Sequence, residues 1–220
     1  TSTRLSFNIT NSGTGAMSAP TNFSMQWLRA DNTPTGNPFD DNFPSAIGPG
    51  ADRSVIYDQA SIVSTHPLYA FIFTPPADAR TLRIHADHNN NQAETNEGNN
   101  QATVARPLPD LTVTSPVFTS TRLSFNITNS GTGAMSARTY FSMQWLRADN
   151  TPTGNPFEDN FPSAIEPGAD RLVIYDQASI VSTHPLYTFI FTPPADARTL
   201  RINADHNNNQ AETNEGNNQA

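Results

Sequence analysis

The 220 residues carry 20 acidic and 12 basic side chains, a net charge of −8, with no cysteine and no lysine. A chain this acidic repels phosphate backbones, which excludes nucleic acid as a main partner, and the missing cysteine removes disulfides, thiolate metal sites and a cysteine nucleophile together. Hydrophobic residues make up 35% and charged ones 15%, with 18 Pro and 11 Gly, so the Asn-, Ser- and Thr-rich remainder predicts many short strands joined by turns, an all-β chain with no run apolar enough to span a membrane.

Residues 1–102 return as residues 119–220. The copies differ only at Pro20/Arg138, Asn22/Tyr140, Asp40/Glu158, Gly48/Glu166, Ser54/Leu172, Ala70/Thr188 and His85/Asn203. Enzyme sites are rarely needed twice in tandem, whereas stalks and fibres gain length with every copy. The intervening stretch, TVARPLPDLTVTSPVF, occurs once. Its DLTVTSPVF portion alternates, with Leu111, Val113 and Val117 on one side and Thr112 and Thr114 on the other, and a stiff Pro-rich run introduces it. The expected organisation is a repeat over 1–102 that lacks its first strand, a linker over 103–108, and a complete repeat over 109–220. Either the chain is a window on a longer array, or the missing strand comes from a neighbour by β-augmentation, with Leu111, Val113 and Val117 as the donated apolar side chains.

Within the complete repeat, TRLSFNIT puts Leu123, Phe125 and Ile127 on one face, and NSGTGAMSA is a turn. YFSMQWLRA carries Phe141, Met143 and Trp145 at period two, DNTPTGNP reads as a hairpin-like connection, and RLVIYD, LYTFIFT and RTLRINA are further strand candidates. Six or seven strands and no sustained helical period predict tandem immunoglobulin-like β-sandwich domains. Trp27 and Trp145 are expected in the two cores.

PDLTV, LSFNITNSGTGAMSA, IEPGADR and RINADHNNNQAETNEGNNQA follow one another in an order that resembles the cell-adhesion-related domains of bacterial and archaeal surface proteins, the CARDB family. The ETNEGNN ending is the most specific part. That resemblance implies an immunoglobulin-like sandwich, an extracellular cell-surface setting and a role in adhesion or as a spacer, without catalysis. The DQASIVSTHP stretch makes each unit longer than a typical member.

The densest set of oxygen donors is DHNNNQAETNEGNN: Asp87, Asn89, Asn91, Glu94 and Glu97, repeated as Asp205, Asn207, Asn209, Glu212 and Glu215. Hard oxygens at this spacing suit Ca²⁺, although the sixth-position glycine of an EF-hand is missing; the competing reading is an Asx-rich turn whose side chains bond to nearby amides. A second acidic group, Asp40, Asp41 and Asn42 with Glu158, Asp159 and Asn160, reads as a solvated turn after the Pro-rich connection. His85 becomes Asn203 in the second copy, which argues against a shared metal or base role. Asn8, Asn22 and Asn126 head N-x-[ST] sequons, acceptors for a glycan if the cell glycosylates.

These features predict a non-enzymatic structural repeat of an extracellular filament, stalk or adhesin, its partners copies of itself and, through sugars, glycans. Units would be joined by strand donation and rigidified by calcium. The rival expectation is a carbohydrate- or surface-binding accessory module of a secreted enzyme or adhesin.

Overall fold

Alternation at period two decides most of the strands, and the computed structural model describes residues 4–135, 139–161 and 163–220. The chain divides into two units, the first ending at Arg106 and the second running from Pro107 to Ala220. Each is an immunoglobulin-like sandwich of two antiparallel sheets. In the first unit β1 (Arg4–Thr10) pairs with β4 (Asp52–Asp58), opposite a sheet ordered β3 (Phe39–Phe43), β2 (Thr21–Leu28), β5 (Thr81–Ala86), β6 (Gln101–Ala105). In the second, β11 (Asp170–Asp176), β8 (Arg122–Asn129) and β7 (Leu111–Phe118) face β10 (Phe157–Asn160), β9 (Tyr140–Leu146) and β12 (Thr199–Ala204).

The second core is built as the alternation requires. Leu111, Val113, Leu123, Phe125 and Ile127 from one sheet meet Phe141, Met143, Ile202 and Ala204 from the other. Trp145 is buried, and its indole N–H donates to the Phe189 carbonyl at 2.7 Å; Trp27 does the same to Phe71. A buried indole therefore leaves no unsatisfied donor.

Three features differ from the sequence expectation. LYTFIFT and its first copy are helical: α1 (Pro67–Phe73) and α2 (Pro185–Phe191) each start with proline at the first turn and are capped by His66 and His184, whose Nδ1 accepts from the Leu68 and Leu186 amides at 3.2 Å. Proline pre-set for the first turn and an N-capping side chain outweigh the aromatic, β-branched composition. The acidic group at Asp40 and its copy at Glu158 lies on the edge strands β3 and β10, not in a turn. Residues 103–105, expected in the linker, finish β6 against β5. The turn beginning at Asn129 is described as far as Met135; Ala137 lies outside the described residues.

β7 also departs from strict alternation. Its register against β8 shifts between Thr114 and Val117, where Ser115 takes φ 52°. A bulge of this kind turns the following side chains to the other face, so Val117 is 53% exposed rather than buried, and Phe118 instead packs edge-on to Trp145 with ring centroids 5.6 Å apart.

The presence of β7 in one unit alone is an internal comparison. Leu123, Phe125 and Met135 are buried in the second unit, whereas their copies Leu5, Phe7 and Met17 are only partly buried. Mass-resolved hydrogen exchange separates the units, because peptides over β4 carry Ser54 and those over β11 carry Leu172. Peptides with Ser54 exchange faster; matching rates would show that β7 adds no protection. Leu111→Ala lowers the stability of the second unit by about 2–5 kcal/mol, the cost of an emptied core position, and leaves the exchange of the Ser54 peptides unchanged.

Candidate functional site

The acidic loop that follows the last core strand of each unit begins at a residue forced into the left-handed region, Asp87 and Asp205, both at φ 46°. Aspartate tolerates this conformation because its short side chain bonds locally. In the second unit the Asp205 carboxylate accepts from the amides of Asn209 at 3.0 Å and Gln210 at 2.8 Å. Glu215 Oε1 accepts from the Glu212 amide at 2.9 Å. Glu212, 1% exposed, accepts from the Leu111 amide of β7 through Oε2 and from Asn218 Nδ2 through Oε1 at 3.1 Å. Carboxylate oxygens of Asp205, Glu212 and Glu215 all lie within 4.8 Å of one another, as do those of Asp87, Glu94 and Glu97.

These carboxylates first of all hold the loop and β7 in place. The Asx-turn reading of the sequence is thus realised in the bonds of Asp205. Asn89, Asn91, Asn207 and Asn209 have exposed side chains, and what Asn91 and Asn209 bring to the cluster is the backbone N–H. Nothing in the local pattern marks Glu212 as the partner of Leu111, 101 positions back along the chain.

Among the described residues no ion pair reaches Asp205, Glu212 or Glu215. Burial pushes the Glu212 carboxyl up to about 7, the charges of Glu215 and Asp205 adding to it while the Leu111 amide and Asn218 oppose it. Burial also raises Asp205, against the pull of the Gln210 and Asn209 amides, and raises Glu94 with help from Glu97 and Asp87. A cluster like this stores either protons or a cation. The donors fit a hard cation: each carboxylate oxygen that accepts one amide retains a second lone pair, and the Oδ1 atoms of Asn217 and Asn218 are buried without a hydrogen-bond partner.

The other candidates are explained locally. Asp41 and Asp159 accept from the hydroxyls of Tyr57 at 2.7 Å and Tyr175 at 2.9 Å, and burial together with those carboxylates drives both phenols upward from their ordinary pKa. His88 Nε2 lies 3.5 Å from Asp40, and His206 Nε2 lies 3.1 Å from Glu158. Of the sequons, Asn8 is exposed and Asn22 half-buried, while half-buried Asn126 sits beside Thr114 in the β7 register with its Oδ1 buried.

A larger concavity lies in the first unit, a cleft of about 460 Å³ between Asn8–Met17 and the loop from Gln92 to Ala102. It covers the positions whose copies in the second unit receive residues 108–113.

No protein-family model matches the chain, and no curated protein sequence matches it. Among solved structures it is similar to a red sea bream transglutaminase at 9% identity and a TM-score of 0.36, over 91% of this chain and 26% of that one. It is also similar to the class 5 fimbriae chaperone CfaA at 9% identity and a TM-score of 0.25, over 92% and 85%, and to a chain of a chaperone–tip adhesin complex of CFA/I fimbriae at 10% identity and a TM-score of 0.24, over 82% and 83%. The chain thus spans about a quarter of the transglutaminase. Scores this low carry no argument, and the architecture rests on the chain's own strand pairing. Among the described residues no helix is long and apolar enough to cross a membrane.

A carboxyl whose pKa is higher folded than unfolded binds more protons in the native state between the two values, so its stabilising effect is present at low pH and lost as pH rises. In chelator, the second unit therefore loses on the order of 3 kcal/mol between about pH 4.5 and 7 through Glu212, since each tenfold change in proton affinity is worth roughly 1.4 kcal/mol. Glu212→Gln flattens that slope in urea titrations of the second unit; a slope that survives the substitution assigns the dependence elsewhere.

Proposed function

We propose that this chain is a structural repeat of an extracellular filament, stalk or adhesin on a cell surface, with its units completed by the strand that arrives from the preceding repeat. One observation carries the reading. The segment from Pro107 to Phe118 is at once the covalent connection out of the first unit and the strand that fills the core of the second, with Leu111 fully buried there. A linker that must insert to finish the next body makes each repeat depend on its predecessor, which is the logic of an array. The resemblance of the loop and its ETNEGNN ending to the CARDB family supports the same setting.

Antibodies raised against the purified chain and applied to intact source cells in immuno-electron microscopy decorate surface filaments or stalks. Label confined to broken cells, or to a soluble secreted enzyme, would sink the proposal and favour the accessory-module reading.

Calcium belongs to the same proposal. In each unit the cation would be held by carboxylates, Asp87, Glu94 and Glu97 or Asp205, Glu212 and Glu215, neutralising charge that the fold otherwise buries without a counter-ion. Millimolar Ca²⁺ raises the melting temperature at pH 7.5 and EGTA reverses it, as a ligand that binds only the folded state must. Mg²⁺ does so less, because its strict octahedral demand suits a three-carboxylate loop poorly. A melting curve indifferent to both ions leaves the loop as a turn held by amides.

A further inference from the structure

The cleft of the first unit is shaped by the same residues that grip β7 in the second. In the second unit the amides of Thr132 and Gly133 donate to the Leu108 carbonyl at 2.9 and 2.8 Å, Ser130 donates to Asp110 at 2.8 Å, and Thr213 donates to Pro109 at 2.9 Å. Their copies in the first unit are Thr14, Gly15, Ser12 and Thr95, all of which line the cleft. Among the described residues none of these four amides has a hydrogen-bond acceptor. Side chains repeat the pattern. Asn129 Oδ1 accepts from both Asp110 N and Gly131 N, while buried Asn11 Oδ1 accepts only from Gly13 N. Asn217 donates to Asp110 Oδ1 at 2.9 Å, and its copy Asn99 lines the cleft beside Glu94, the copy of the glutamate that accepts from Leu111. Above them, among the described residues, β1 pairs with β4 and its other edge has no partner strand.

The glycines report the fit independently. A Cβ at Gly133 would lie 2.6 Å from the Pro107 carbonyl oxygen and 2.8 Å from the Leu108 nitrogen, so β7 enters only over a bare backbone. At Gly15 a Cβ meets nothing within 4 Å, and no left-handed φ requires glycine there. The first unit thus presents the complete receiving surface, without the strand.

We propose that this cleft binds an extended segment with the sequence of residues 107–118, PLPDLTVTSPVF. The inference rests on the array reading and names its partner. The carbonyls of a Pro-Leu-Pro stretch meet the amides of Ser12 to Gly15 and Thr95, an aspartate meets Asn99, and a leucine N–H meets Glu94. Leucine and valine at alternate positions then complete the half-covered core beside Ile9 and Phe7. The chain's own copy of this segment is spent in its second unit.

The test is fluorescence anisotropy of a synthetic, fluorescein-labelled PLPDLTVTSPVF peptide titrated against the whole chain. Saturable binding with one site per chain is expected, weakened about tenfold or more when the peptide carries Leu111→Asp, and abolished in the chain variant Gly15→Ala, which keeps the melting profile of the parent. No saturable binding overturns the proposal. Binding that tolerates Leu111→Asp, or that survives Gly15→Ala but is lost with Gly133→Ala, also overturns it, the first as adhesion without a site and the second as exchange into the second unit. A concentration-dependent dimer of the chain that the peptide cannot compete away assigns the cleft to self-association by another route and likewise overturns it. Peptide binding in a chain that shows no surface label would keep the strand-receiving cleft and discard the array reading; surface filaments without peptide binding would do the reverse.

Discussion

Everything in the second unit turns on how Leu111 is placed. Its side chain is wholly buried between the sheets, and its amide donates to a carboxylate that is itself buried in the loop after β12. An apolar side chain of this size contributes roughly 1.5–3 kcal/mol when fully buried, but burial alone would not fix the register of a strand that bulges farther along, at Ser115. The bond to Glu212 does, because a buried carboxylate left without that amide would carry its full desolvation cost. One residue therefore ties together the linker, the β8 edge and the loop at the far end of the sequence. Without β7 the same apolar face of the same strand is partly exposed, as at Leu5 and Phe7 of the first unit.

The acidic loop then has a consequence that its composition hides. Glu212 is displaced from the usual carboxylate range chiefly because it is buried; Glu94, in the unit that lacks β7, is less buried and is also raised by burial, with Glu97 and Asp87 adding to it. Docking the strand and charging the glutamate thus oppose each other, unless a proton or a cation settles the charge. Linkage makes the relation reciprocal: whatever neutralises the cluster tightens the strand, and the strand tightens whatever neutralises the cluster. A cation held by the cluster would therefore act on the docked strand as well as on the turn.

Sequence alone made the duplication, the all-β class, the alternating strands and the buried tryptophans legible, because each depends on local pattern or on self-comparison. The helices over Pro67–Phe73 and Pro185–Phe191 were missed although their signals were present, a proline in the first turn behind a histidine cap; the aromatic and β-branched run weighed more in a reading based on propensity. β6 was not anticipated and residues 103–105 were placed in the linker, because QATVA is exposed throughout and its strand character comes from pairing with β5. Val117 was assigned to the core because alternation assumes an unbroken register, and Ser115 breaks it. Of the candidate ligands, the carboxylates converge as their spacing proposed. The asparagines do not: all four have exposed side chains, and Asn91 and Asn209 bond to the aspartate through their backbone amides.

The Pro-rich lead into β7 prepares the strand for docking. A strand that must be received by a preformed surface loses conformational entropy when it docks, on the order of 1–2 kcal/mol for each backbone residue fixed. Pro107 and Pro109 fix φ at two positions and bias Arg106 and Leu108 toward extended conformations before any contact is made. Neither proline needs to donate, because at this stretch the segment presents carbonyls and the receiving turn supplies the N–H groups. Asp110 follows as the first residue to offer both a side chain and an amide, and Leu111, after the buried Leu108, as the first to join the core cluster between the sheets. A segment arranged in that order, stiff acceptor, polar latch, apolar anchor, is suited to find its groove from outside, and this explains why one sequence can serve as linker and as core without the penalty that a flexible linker would carry.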